Sequence, residues 1–224
     1  MAPHENPKFE IQGLNHLALV CSDMARTVDF YTNILGMRLV KTMEYSGEIG
    51  NGQHFFFDMG NGRDAIAFFW FENTPPAAPG IAMSSSRIEG APRGFRSAFG
   101  AMDHVAFDVA RDKIDEYREK LVDMGIEVTE VVNHSNRPGE AGTRGGRDQY
   151  TPDAPTEDTF VRSIYFADPD GITLEFACWG RPFEDGDIEH EPKTVADLNL
   201  AKGVENLQVA AQYSESRARA GVDA

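Results

Sequence analysis

Two histidines and one glutamate are of the types that bind a metal ion. His16 and His104 each lie in an apolar, strand-like run, and Glu175 occupies the middle of a third. A carboxylate buried without a partner is costly, and a metal cation is the simplest partner that offsets this cost; a buried arginine or a protonated carboxyl is the alternative. Two imidazoles and one carboxylate with open coordination positions are typical of non-haem Fe(II) centres, although Mn(II), Zn(II), Ni(II) or Co(II) could use the same set. The open positions predict catalysis.

The two histidines occupy matching positions of an internal repeat. Each run leads into apolar residues at helical spacing, and each predicted helix ends at a glycine suited to a left-handed cap, Gly36 and Gly125. The predicted strands are 14–20, 37–45, 54–59 and 65–71 in the first copy, and 102–108, 126–133, 161–167 and 172–179 in the second. The order βαβββ therefore occurs twice. It predicts an α+β fold in which two modules pair their sheets around a metal cleft.

The chain divides by this pattern into four parts. The predicted boundaries are 11–72 for the first module, 73–100 for a linker, 101–180 for the second module and 181–224 for a partly helical C-terminal extension. Aligning the two fourth strands places Ala67 at the position of Glu175. Because alanine cannot bind a metal, the first module is expected to supply no second carboxylate.

Composition limits the classes of partner. The net charge of −15 disfavours nucleic acid, since the surface repels a polyanion. No apolar run approaches the roughly 20 residues that span a bilayer, and the N-terminus lacks a signal-peptide pattern, so a cytoplasmic protein without a membrane partner is expected. The expected partners are a small-molecule substrate with aromatic character and a second copy of the chain in a homodimer.

The motifs together resemble the vicinal oxygen chelate superfamily, which includes glyoxalase I, bleomycin-resistance and fosfomycin-resistance proteins and type I extradiol dioxygenases. The resemblance covers about residues 11–180 and is carried by 13–19 (GLNHLAL), 30–37 (FYTNILGM), 102–107 (MDHVAF) and 165–176 (YFADPDGITLEF). Tyr165 followed by Asp-Pro-Asp-Gly and Glu175 is similar to the latter half of the extradiol dioxygenase signature. The resemblance implies that Tyr165 lies beside a metal-bound catechol. That signature has a histidine several residues before the tyrosine, where this sequence has Thr156-Glu157-Asp158. The family also has an acid–base histidine near the start of the fourth strand of the metal-binding module, where this sequence has Arg63-Asp64.

Further residues could complete a substrate site. His134 ends a predicted strand before a long polar loop and could act as an acid or base. Arg147 of that loop could bind an anionic or phenolate substrate. Phe69 and Phe71 alternate with Ala67 and are expected to line the pocket, whereas His54 could face either the cleft or solvent.

These residues favour a metal-dependent oxidoreductase, an Fe(II) dioxygenase acting on a phenolic or catecholic small molecule. In this hypothesis Tyr165 and His134 move protons beside the metal. The alternatives are a glyoxalase-like lyase or isomerase that uses the metal as a Lewis acid, and a small-molecule binding or resistance protein.

Overall fold

The computed structural model describes residues 8, 11–46, 50–74, 102–135, 155–188 and 191–192. The chain divides into two compact units. Unit 1 comprises Met1–Pro76, Glu119–Glu127 and Ala167–Gly171, and unit 2 comprises Ala77–Arg118, Val128–Phe166 and Ile172–Ala224. No helix among the described residues is long and apolar enough to cross a membrane.

Unit 1 contains a four-stranded sheet and one interrupted helix. Its elements are β1 (His16–Val20), α1 (Met24–Asp29), a π-helical turn (Phe30–Ile34), β2 (Arg38–Tyr45), β3 (Gly52–Asp58) and β4 (Ala65–Phe71). The strand order is β1-β4-β3-β2, with β1 parallel to β4 and the remaining pairs antiparallel. The carboxylate of Asp23 caps α1 by accepting from the backbone N–H groups of Ala25 and Arg26.

The helix predicted before Gly36 is divided, because the second half of this segment widens into the π-helical turn. The Thr32 hydroxyl donates to the carbonyl of Val28 at 2.6 Å, and Leu35 N donates to Phe30 O, five residues back. Gly36 then adopts a positive φ of 72°, as its predicted cap position requires.

A turn from the second repeat belongs to unit 1. Tyr31 is fully buried and donates to the Asp168 carboxylate at 3.3 Å, and burial together with that carboxylate raises the pKa of Tyr31 well above its usual range. Asp170 accepts from Ser22 N at 2.9 Å, and Arg26 donates to the carbonyl of Pro169 at 3.1 Å. The Asp-Pro-Asp-Gly turn therefore has a packing role within this unit.

Unit 2 repeats the same arrangement. Its elements are β5 (Val105–Asp108), α2 (Ile114–Asp123, of which the residues from Glu119 are grouped with unit 1), β6 (Val132–Ser135), β7 (Thr159–Ala167), β8 (Thr173–Trp179) and a 3₁₀ turn (Asp185–Asp187). The strand order is β5-β8-β7-β6, with β5 parallel to β8 and β6 antiparallel to β7. Two sheets with one order confirm the predicted βαβββ modules.

Two details of the predicted second module are wrong. The strand expected over 126–133 is reduced to an isolated bridge from Val128 to Phe166 and the short strand β6. Side chains take over part of the hydrogen bonding here. Arg118 donates to the Thr129 carbonyl at 2.9 Å and the Thr129 hydroxyl accepts from Tyr165 N, while Thr129 N still donates to the Tyr165 carbonyl at 3.0 Å. His104 also lies one residue before β5 rather than within it.

Other predicted segments lie outside the described residues. These are the linker from residue 75, the long polar loop over 136–154, and residues 189–190 and 193–224 of the C-terminal extension.

Candidate metal centre

Five polar side chains of unit 2 lie on one face of its sheet. They are His104, His134, Ser163, Tyr165 and Glu175. Glu175 pairs with Ala106, and alternate strand residues share a face, so His104, two residues before Ala106, lies on the side of Glu175. Val132 pairs with Ser163, which brings His134 to the face that carries Ser163 and, two residues later, Tyr165. The sheet thus gathers every predicted site residue of this unit that the structure describes.

His104 pairs with the buried carboxylate of Glu175. His104 Nε2 lies 2.8 Å from Glu175 Oε2, and only 6% of the Glu175 side chain is exposed. The hydrogen bond to Glu175 raises the pKa of His104 to about 9, against the effect of burial, and Asp103 adds to the rise. Burial opposes ionisation of Glu175, but His104 and the hydroxyls of Ser163 and Tyr165 outweigh it and hold the pKa of Glu175 below its usual value. The carboxylate therefore stays ionised while buried.

Tyr165 and His134 lie beside this pair. The Tyr165 hydroxyl is 3.2 Å from His134 Nε2, within hydrogen-bond distance. The Tyr165 ring also meets the His104 ring edge to face, with centroids 5.8 Å apart. A tyrosine hydroxyl in contact with an imidazole can exchange a proton with it, which is the chemistry expected of these residues.

Unit 1 presents the remaining predicted ligand. His16 begins β1, is exposed, and lies edge to face with Phe56 at 5.5 Å. Ala67 pairs with both Ala18 and Phe56, so it shares the face of His16, and it is completely buried. The fourth strand of this unit therefore brings a methyl group to the position where unit 2 has a carboxylate.

The residue before each histidine fixes the orientation of its ring. Asn15 Oδ1 lies 2.8 Å from His16 Nδ1, and Asp103 Oδ1 lies 2.8 Å from His104 Nδ1. Metal-bound histidines characteristically donate one ring N–H to such an oxygen, which leaves the other nitrogen to bind the metal. We did not predict this role from the sequence. The signal was present, since both motifs place a side-chain oxygen immediately before the histidine.

His104 and Glu175 are donors of the types that bind a divalent cation, although among the residues that the structure describes no group of three or more His, Cys, Asp or Glu side chains gathers to hold one. Of the predicted ligands, His104 and Glu175 belong to unit 2, and His16 belongs to unit 1. The fit rests on an ionised carboxylate kept from water and on an imidazole, held at Nδ1, whose Nε2 points at that carboxylate.

The predicted aromatic residues lie on the face of Ala67. Phe69 stacks on Phe71 with centroids 5.4 Å apart, and Phe71 is 41% exposed. Phe69 also stacks on His54, which is buried on the same face. His54 is therefore neither exposed nor isolated. Arg147 lies outside the described residues.

Comparison with known proteins identifies a family. The family model of the Glyoxalase/Bleomycin resistance protein/Dioxygenase superfamily matches residues 13–176. The metallothiol transferase FosB of Lysinibacillus sphaericus (strain C3-41) is 24% identical over 166 residues, which are 74% of this chain and 82% of FosB. The "Putative ring-cleaving dioxygenase MhqE" of Bacillus subtilis (strain 168) is 27% identical over 172 residues, or 77% of this chain. The matched region spans 50% of MhqE.

Solved structures resemble the chain over three quarters of its length. SMU.1112c is 24% identical, with coverage of 75% of this chain and 98% of that one and a TM-score of 0.48. The fosfomycin resistance protein FosX of Listeria monocytogenes, in complex with Mn(II) and sulfate, is 20% identical, with coverage of 75% and 93% and a TM-score of 0.41.

Proposed function

Since the chain belongs to the Glyoxalase/Bleomycin resistance protein/Dioxygenase superfamily, we propose that it is a metal-dependent oxidoreductase, an Fe(II) dioxygenase acting on a phenolic or catecholic small molecule. His16, His104 and Glu175 are the proposed metal ligands. The observation that carries the proposal is the buried, ionised Glu175 carboxylate 2.8 Å from His104 Nε2, with the Tyr165–His134 pair on the same sheet face. A bound Fe(II) ion supplies Lewis acidity and the redox capacity that a reaction with O₂ requires.

The protein's own residues have separable tasks in this proposal. Asp103 and Asn15 hold the two imidazoles by Nδ1. The Tyr165 hydroxyl accepts the proton of a phenolic substrate as it ionises and passes a proton to His134 Nε2, 3.2 Å away. Phe69 and Phe71 offer apolar ring faces to a flat substrate, and Arg147 is proposed to bind its anionic group.

The similarity to MhqE supports the dioxygenase assignment, because that relative is described as ring-cleaving. The test is elemental analysis of protein purified without oxygen, followed by oxygen-electrode measurements with a series of catechols. We expect bound iron and O₂ consumption in proportion to the ring-cleaved product. Full activity with Zn(II), Ni(II) or Co(II) and no O₂ uptake would contradict the dioxygenase.

A redox-neutral metal enzyme is the second candidate, as a lyase, isomerase or transferase of the same superfamily. The observation that favours it is the match to FosB, which extends over 82% of that transferase, whereas only half of MhqE is matched. It predicts turnover of an electrophilic small molecule under argon at the rate seen in air. A protein that holds no metal after anaerobic purification would favour a binding or resistance role instead.

The homodimer stays a prediction, tested by sedimentation equilibrium.

A further inference from the structure

Two buried polar atoms lack a hydrogen-bond partner among the described residues, and they occupy equivalent positions of the two repeats. They are His54 Nε2 and Ser163 Oγ. His54 pairs with Met43 of β2 and Phe69 of β4, and Ser163 pairs with Val132 of β6. Gly180 N donates to Phe160 O, so these two residues lie opposite each other on the antiparallel strands β8 and β7. Counting three residues along each strand from this pair places Ser163 opposite Ala177, as His54 lies opposite Phe69 in unit 1.

An unpaired buried polar atom is uncommon and requires an explanation, such as a bound ligand. Here it recurs at one repeat position, on the sheet face that carries His16 in unit 1 and His104 in unit 2. Of the two, His54 is the less expected, because its polar imidazole lies between the aromatic rings of Phe56 and Phe69. The Ser163 hydroxyl at least lies close enough to Glu175 to help keep that carboxylate ionised.

The surroundings of His54 fix its ring. The ring stacks on Phe69 with centroids 3.6 Å apart and planes 15° apart, and Phe56 lies at 4.3 Å. Only 7% of His54 is exposed. Two aromatic neighbours thus hold the imidazole in one orientation, and substitution by phenylalanine would suit the same space.

The hydrogen bonding of His54 indicates which atom of the ring is available. The Tyr45 hydroxyl lies 3.5 Å from His54 Nδ1. Burial, with a smaller effect from His16, lowers the pKa of His54, so the ring is neutral near pH 7 and carries one proton. The Tyr45 hydroxyl also lies 4.0 Å from Met43 Sδ, a weaker acceptor than an imidazole nitrogen. With this hydroxyl as the donor to Nδ1, the ring proton lies on Nε2. In this tautomer His54 carries an N–H donor at Nε2, for which no described residue provides an acceptor.

We propose that His54 is a substrate-contacting residue whose Nε2–H donates to a negatively charged oxygen of a flat, phenolate-type ligand. The ligand class rests on the proposed function, but the unpaired Nε2 and the aromatic contacts do not depend on it. Phe69 and Phe71 stack in parallel on the same face, a surface suited to the ring of such a ligand. A hydrogen bond to a charged oxygen, isolated from water by these rings, would supply both affinity and orientation.

A first experiment measures stability and needs neither metal nor substrate. His54→Phe removes an unpaired buried polar group and keeps a ring in the same space, so the ligand-free variant should melt at or above the wild-type temperature. Gln53→Ala, on the adjacent position of β3, is the control for disturbance of the strand. A fall of several degrees in the Tm of His54→Phe that Gln53→Ala does not share would assign His54 a structural role and overturn the proposal.

A second experiment measures binding of 4-nitrocatechol, whose visible absorbance reports ionisation of its hydroxyl groups. We expect His54→Phe to raise the Kd of 4-nitrocatechol about tenfold or more, the loss expected for a hydrogen bond to a charged group. The metal content should remain that of wild type, and His54→Gln, which restores a donor, should recover part of the affinity. Equal Kd values for wild type and His54→Phe, or no binding to wild type, would overturn the proposal. Failure of O₂ uptake alone, with the Kd difference intact, would count only against the dioxygenase.

Discussion

The two four-stranded sheets share one strand order but carry different side chains at corresponding positions. In unit 2 the face holds a buried carboxylate, Glu175, with His104 bonded to it at 2.8 Å. In unit 1 the corresponding strand carries Ala67, and His16 contacts an aromatic ring instead. A duplicated scaffold thus supplies each sheet with one histidine, while the carboxylate occurs in one copy alone.

The second difference concerns hydroxyl groups. Tyr165 of unit 2 lies two residues after Ser163, just as Phe56 of unit 1 lies two residues after His54. The first face is therefore largely aromatic, and the second is polar and able to transfer protons. We infer that the aromatic face of unit 1 contacts a ligand and that the polar face of unit 2 carries out the chemistry. Substitutions in one copy at a time test this inference.

The largest effect is expected from Glu175→Gln. The amide keeps the shape of the side chain but loses the charge, so the divalent metal should bind more than about 100-fold more weakly, since even loss of a group that only supports a ligand costs 10–100-fold. Metal retained after dialysis, measured by mass spectrometry, checks this. Asp108→Asn, an exposed carboxylate of β5, is the matched control. Stoichiometric metal in Glu175→Gln would place the site elsewhere.

Tyr165→Phe should leave the metal in place and reduce turnover. Its hydroxyl contacts His134 at 3.2 Å, and removal of a positioned proton-transfer group lowers rates by about 100-fold or more. The comparison is Tyr117→Phe, which removes a hydroxyl from α2. We expect normal turnover in that control. Normal turnover in Tyr165→Phe as well would remove the proposed chemical difference between the two copies.

Most of the fold follows from the sequence because the repeat is strongly patterned. The glycine after each helix, the apolar alternation of β4 and the turn before β8 predict eight strands in two equal sets. The missing part of the strand over 126–133 could not be predicted, because Thr129 bonds to side chain or backbone groups of Arg118 on the preceding helix and of Tyr165 on β7. Periodicity reports only which side chains share a face.

For the site, the candidate residues could be predicted from the sequence, but the burial and contacts of their side chains could not. Residue types and repeat positions indicated His16, His104 and Glu175, whose joint role as ligands stays a prediction. The buried state of His54 could not be predicted, because a histidine within a strand suits either face, and the stacking of Phe69 on its ring depends on the register of β3 with β4. The roles of Asn15 and Asp103 could have been predicted, because each lies immediately before a predicted histidine ligand.

A smaller effect is expected from the residues that orient the two histidines. Asp103→Ala should weaken metal binding by about tenfold, the low end of the range for such supporting groups, because 85% of the Asp103 side chain is exposed. Asn15→Ala should cost less, since a neutral amide is the weaker acceptor. Titration calorimetry with Mn(II) under anaerobic conditions measures both. If Asn15→Ala weakens metal binding more than Asp103→Ala does, then the supporting residue of unit 1 matters more than that of unit 2, contrary to this prediction.

The smallest effect is on the stability of the metal-free protein, and it separates the copies most directly. His104→Ala leaves the buried carboxylate of Glu175 without its imidazole, which should lower the free energy of unfolding by about 1–2 kcal/mol, less than for a fully buried pair because 35% of the His104 side chain is exposed. His16→Ala removes an exposed ring and should change it by less than about 0.5 kcal/mol. Urea unfolding in the presence of a chelator measures both values. In the background of Glu175→Gln the cost of His104→Ala should shrink, because the group left behind is then uncharged. If it stays the same, the effect comes from packing of the ring, and the contrast between the copies is one of burial rather than of charge.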